Sequence, residues 1–104
     1  MFARLTTLNV RQDKIDEAIA IYRKSVIPAA RKQKGFVAAC LLSDRETRKG
    51  ISLTFWKSEE DALANEENRY YQEQLIKFID LMQTPPIREG YEVTASSAKA
   101  FRGR

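Results

Sequence analysis

The hydrophobic positions follow two periods along the chain. Between Phe2 and Val10 the side chains alternate, with Phe2, Arg4, Thr6, Leu8 and Val10 on one side and Ala3, Leu5, Thr7 and Asn9 on the other. A period of two predicts a strand. Neither side is cleanly polar, so both faces of that strand are expected to be covered. From Ile15 the period lengthens, and Ile15, Ile19, Tyr22, Val26, Ala29 and Ala30 share one helical stripe. Asp13 is the expected N-cap, with Asp16 and Glu17 in the first turn. Pro28 lies inside the stripe, removes a backbone donor and is expected to kink the helix. Gly35 ends the second half. Phe36 to Leu42 is an apolar run of strand length. A charged loop from Ser43 to Gly50 then turns the chain, as a hairpin, into a strand from Ile51 to Trp56.

Ser58 follows the single Trp, and Asp61 comes three residues later, which is the capping signal of a second helical region. Asn65 is a candidate interruption. Tyr71, Leu75, Phe78, Ile79 and Met82 make a broad apolar stripe, stopped by Pro85 and Pro86. A last strand is expected from Gly90 to Ala95. The boundaries are then a domain over residues 1–95 and a flexible basic C-terminal tail over 96–104, in which Phe101 is the one large apolar side chain.

The order β-α-β-β-α-β predicts an α+β, ferredoxin-like plan with an antiparallel four-stranded sheet in the order 4-1-3-2 and both helices on one face. The other face would be bare and too apolar to stay so. A symmetric homodimer packed sheet to sheet is the economical cover.

Composition narrows the function classes. A chain of 104 residues holds one domain, and 43% hydrophobic with 31% charged residues is an ordinary globular balance. The net charge of +4 is mild and scattered, without the basic face and interleaved aromatics of a nucleic-acid binder. There is no apolar run long enough to span a bilayer and no leader pattern at the N-terminus, so a membrane or secreted protein is not expected. The lone Cys40 cannot form an internal disulfide, which fits a reducing cytoplasm. In its apolar run it reads as a small buried hydrophobe.

The chain contains no histidine. That removes the usual Ser-His-Asp and Cys-His sites and the commonest zinc and iron ligand. Neither a Gly-rich phosphate loop nor a convergent carboxylate pair is visible in the sequence.

The element order, Pro28 within the first helix, Gly35-Phe36, and Leu53-Thr54-Phe55-Trp56-Lys57-Ser58 leading into an acidic helix start together resemble the antibiotic biosynthesis monooxygenase family. The resemblance covers about residues 2 to 95, and the Trp-x-Ser-x-x-Asp-Ala segment is its most specific part. It implies a dimeric α+β barrel. It also implies a monooxygenase that oxidises phenols or quinols without metal, flavin or haem, so no cofactor is expected. The haem-degrading branch carries an iron-ligating His on its second helix. Here that region reads Asn65-Glu66-Glu67, and haem is not an expected partner.

By the same resemblance Trp56 matches the family's pocket Trp and is the catalytic candidate. Ser52 and Thr54 stand where polar residues before that Trp contribute to the site. An apolar pocket for a small aromatic, quinol or enol would also use hydroxyls and a cation. Tyr22, Tyr70 and Tyr71 supply the hydroxyls, and Arg4 or Arg69 the cation. Each has a packing explanation as well. Trp56 and Tyr22 can be core, only one of the adjacent Tyr70 and Tyr71 can point straight at the sheet, and Arg4 can pair with a carboxylate across it. The alternative function is a non-catalytic homodimer that binds a small apolar ligand or serves a stress response.

Overall fold

The structure, a computed structural model, describes residues 1–98. The elements in order are β1 (Phe2–Asn9), α1 (Ile15–Ile21), a π-helical segment (Tyr22–Val26), α2 (Ile27–Arg31), β2 (Phe36–Asp44), β3 (Lys49–Trp56), α3 (Glu59–Glu67), α4 (Tyr70–Ile76), a 3-10 turn (Ile79–Leu81) and β4 (Ile87–Glu92). One antiparallel sheet has the order β2-β3-β1-β4, the predicted 4-1-3-2 read from the other edge. The plan is ferredoxin-like α+β.

Register decides which side chains meet the helices. Arg4 lies opposite Thr54, Thr6 opposite Ser52 and Leu8 opposite Gly50. Because side chains alternate along a strand, Arg4, Thr6, Leu8, Ser52, Thr54 and Trp56 share the helix-facing side. Leu8 and Val10 join Ala18, Tyr22, Val26, Phe78, Leu81 and Met82 in one buried cluster. A second holds Trp56, Ala30, Ala62 and Tyr70, with Phe36 edge-on to the indole at 5.8 Å.

The Pro28 distortion takes a definite form. The Ile27 N–H reaches back to the Tyr22 carbonyl, an i to i−5 bond, so the helix widens just before the proline. The wider turn makes room for a ring that would collide with the carbonyl four residues earlier. Gly35 has φ of +79°, and Lys57 N–H donates to its carbonyl at 2.8 Å, tying the end of β3 to the turn before β2.

Several expectations are corrected. Asp13 does not cap α1. It takes a left-handed turn at φ 68°, and Lys14 precedes the helix without a side-chain cap. The interruption in the second helical region falls not at Asn65, which is buried in α3, but at Arg69, left-handed at φ 70°. Ile79 is exposed, because α4 ends at Ile76 and the 3-10 turn rotates it outward. The last strand starts at Ile87, directly after the prolines, since its pairing with β1 runs from Thr7–Ile87 to Phe2–Glu92. Cys40 is exposed, because it pairs with Leu53 on the sheet face away from the helices. The tail reading falls largely on residues 99–104, outside the described residues, as does Phe101.

No helix among the described residues is long and apolar enough to cross a membrane. Ser58 caps α3 as expected, its Oγ accepting from Asp61 N–H at 3.1 Å. Ser58→Ala is expected to lower stability by about 1 kcal/mol. In a domain of this size that is a fall in Tm of about 4–8 °C, read by calorimetry.

Candidate functional site

The helix-facing polar positions of β1 and β3 do not pack solid. Arg4, Thr6, Ser52 and Thr54 form the floor of a cavity of about 50 Å³. Tyr22 and Val26 of the π-helical segment form one wall. Tyr70, Tyr71, Gln74 and Leu75 of α4 form another, and Leu8 and Phe78 close the end. That is room for a few waters, or for one ring after small side-chain shifts.

The hydroxyls are paired across the cavity. Tyr22 Oη lies 3.0 Å from Ser52 Oγ and donates to the Cys40 carbonyl at 3.1 Å. Tyr71 Oη lies 3.0 Å from Thr6 Oγ1. Tyr70 points the other way, its hydroxyl 3.5 Å from the Val26 carbonyl, so of the adjacent tyrosines only Tyr71 addresses the sheet. Burial is the main force on Tyr22 and Tyr70, pushing each phenol up to about 12. A hydrogen bond from Ser52 partly opposes this at Tyr22, and the Arg4 charge does so weakly at Tyr70.

The cation is Arg4, 4% exposed although it sits mid-strand. One guanidinium nitrogen donates to Asn65 Oδ1 at 2.7 Å. The other donates to the Ala62 carbonyl and to Glu66 Oε2, the latter at 3.1 Å. Glu66 is also paired with Arg88 of β4. The two guanidinium groups lie over the Tyr71 ring at 4.8 and 5.5 Å. Burial lowers the pKa of Arg4, and Arg88 adds to that while Tyr71 and Tyr70 oppose it. An arginine stays protonated through such shifts. The Arg4–Glu66–Arg88 group therefore carries one net positive charge, and Arg4 is its member that lines the cavity.

Of the residues singled out in the sequence, Arg4, Tyr22, Ser52, Thr54, Tyr70 and Tyr71 meet at this cavity. Trp56 is fully buried beside it and is not part of the lining. Its Nε1–H donates to Thr54 Oγ1 at 3.0 Å. Arg69 is exposed at the α3–α4 corner. The carboxylate that pairs with Arg4 comes from α3 rather than from a neighbouring strand. Thr6, Asn65, Glu66, Gln74 and Arg88 were missed. Thr6 could have been found, two residues from Arg4 on the same strand face, and Gln74 by its helical spacing from Tyr70 and Tyr71. Among the described residues no cluster of three His, Cys, Asp or Glu side chains could hold a metal ion.

The sequence model of the antibiotic biosynthesis monooxygenase family matches residues 1–74. The chain belongs to that family. Solved structures share its fold. A Nitrosomonas europaea protein provisionally assigned to the family superposes with a TM-score of 0.75 at 19% identity, over 91% of this chain and 100% of that one. SnoaB from Streptomyces nogalater, a cofactor-independent oxygenase in a mutant form, gives 0.76 at 11% identity, over 92% and 95%. An uncharacterised protein of Mycobacterium tuberculosis is 33% identical over 67 residues, which is 64% of this chain and 30% of the relative. The chain thus spans under a third of the length of the curated relatives it matches. The family match stops before β4, so it includes Arg4, Ser52, Thr54 and Trp56 but not Arg88.

The raised tyrosines give a pH dependence with a definite sign. In the unfolded chain the phenols lose protons near pH 10, whereas in the folded chain Tyr22 and Tyr70 hold them to about 12. Above pH 10 the folded state binds more protons than the unfolded. The stabilisation is therefore complete below pH 10 and is lost between about 10 and 12. The urea midpoint is expected to fall across that window, and to fall less steeply in a Tyr22→Phe/Tyr70→Phe variant.

Proposed function

We propose that this chain is an oxygenase for a small single-ring phenol, quinol or enol. The observation that carries this reading is the half-enclosed cavity lined by the buried Arg4 guanidinium and by tyrosine, serine and threonine hydroxyls. A low-dielectric pocket with a fixed cation favours the anion of such a substrate. An electron-rich phenolate can then pass an electron to dioxygen and bond to it at carbon. The hydroperoxide loses water to leave a quinone. Overall, phenol plus O2 gives quinone plus H2O, and the substrate supplies every electron.

The chain's residues have distinct parts in this scheme. Arg4 holds the anion, and Thr6, Ser52 and Tyr71 orient the ring oxygen. Trp56 acts from behind, fixing the Thr54 hydroxyl through its indole N–H. The cavity offers no general base matched to neutral pH, since Tyr22 and Tyr70 hold their protons to about 12 and the Glu66 carboxylate is taken up by two arginines. The substrate must therefore arrive ionised or be acidified by Arg4. Activity would follow the substrate's own pKa.

The sheet face away from the helices supports a second copy as partner. Leu42, Ile87 and Tyr91 on it are about half exposed, and Leu5, Leu53 and Phe55 are only partly covered. Burying large apolar side chains at roughly 1.5–3 kcal/mol each would favour sheet-to-sheet pairing.

Two measurements test this. Oxygen consumption with small hydroquinones and cyclic enols is expected in metal-free buffer, and Arg4→Gln should lower kcat by about 10²–10³-fold. If the compounds bind but none consumes oxygen, the oxygenase reading fails and the ligand-binding one takes its place. Light scattering should give twice the mass of the chain, and Leu53→Asp should give the monomer. A folded monomer for the unaltered chain would remove the dimer.

A further inference from the structure

Two wall residues of the cavity, Tyr70 and Gln74, also line a separate cleft on the surface between α4 and the segment carrying the π-helical turn and α2. Lys24, Lys32 and Lys77 line that cleft, and Glu73 is its one carboxylate, an excess of two positive charges (three less one). The partition between cleft and cavity is thin and polar. Ser25 Oγ donates to Gln74 Oε1 at 3.0 Å, and Lys77 Nζ donates to Ser25 Oγ. Beside it the Tyr70 hydroxyl spans to the Val26 carbonyl at 3.5 Å, the outer limit of a hydrogen bond. Ser25 and Val26 belong to the π-helical segment, whose backbone already departs from α-helical geometry.

Accepting the cavity as the ligand site proposed above, we infer that this cleft is its outer subsite and that the ligand is a phenolic or enolic acid with a carboxylate-bearing arm. The ring fills the cavity. Tyr70 and Gln74 are common to the cavity and the basic cleft, so an arm that leaves the ring between them enters that cleft. The arm passes between these two side chains, and Lys24, Lys32 and Lys77 hold its carboxylate. A carboxylate also replaces Ser25 as the acceptor for Lys77. Ser25 is then held through its bond to Gln74 alone.

The test uses three probes on the full chain, with affinities read from NMR shift titrations. Phenol reports the cavity alone. The other two are 3-(4-hydroxyphenyl)propionate and its primary amide, which have the same shape and differ in charge. At low salt the acid is expected to bind about tenfold tighter than the amide. That advantage should drop below about threefold near 0.5 M salt, where screening is short-ranged. In Lys24→Gln/Lys32→Gln/Lys77→Gln it should fall within about twofold, the amide still binding and so showing the fold intact. Equal affinities for acid and amide in the unaltered protein, or an unchanged ratio in the triple variant, would overturn the subsite. If phenol binds and the acid gains nothing, the subsite fails alone. If phenol does not bind, the cavity reading and the subsite fail together.

Discussion

A guanidinium buried in the middle of a strand sets the terms for much of this molecule. Taking a charge out of water is costly unless it is paired and hydrogen-bonded. Arg4 meets that requirement with an amide, a backbone carbonyl and a carboxylate, all from α3. The helix must therefore sit at one height and rotation over β1. The Ser58 cap fixes where α3 starts, and Ala62, Asn65 and Glu66 then fall on one helical face, three and four residues apart. Glu66, bound on its other side by Arg88, links that helix to the edge strand β4. One polar cluster thus orders three elements and leaves a net charge beside the cavity.

The space itself comes from the neighbouring helical arm. Pro28 forces the helix before it to widen, and the widened segment presents Tyr22 and Val26 inward and Lys24 and Ser25 outward. Outside the apolar cluster that Val26 and Leu75 share, that segment and α4 meet through a serine, a glutamine and a tyrosine, so the outer part of the seam between them is polar. Cavity and cleft lie on the two sides of that seam.

Chemically, the arrangement favours holding and orienting over proton transfer. Its ionisable groups are a permanently charged arginine, a carboxylate already claimed by two cations, and phenols that resist ionisation. Such a site suits a ligand that brings its own reactivity. Trp56, prominent in the sequence because it is the single Trp, contributes from outside the lining by fixing a threonine hydroxyl.

Much of this was legible along the chain. Alternation over Phe2–Val10 and Ile51–Trp56, the Ser58 cap, Pro28 and Gly35 are local signals, carried by side chains a few residues apart, and they determined the element order and hence the sheet plan. Arg4, Tyr22 and Tyr71 could be singled out as polar groups among apolar neighbours, and Ser52 and Thr54 through the resemblance of the segment before Trp56. What only the tertiary structure decided depends on register and on contacts between distant segments. A shift of one residue between β1 and β3 would have turned Ser52 and Thr54 to the far side and Leu53 inward. Glu66 as the partner of Arg4 and Arg88 lies 62 positions from the former, with no local pattern to announce it. Asn65 looked like a helix breaker because intrinsic propensity disfavours it, and a buried arginine overrides that preference by giving its amide a partner.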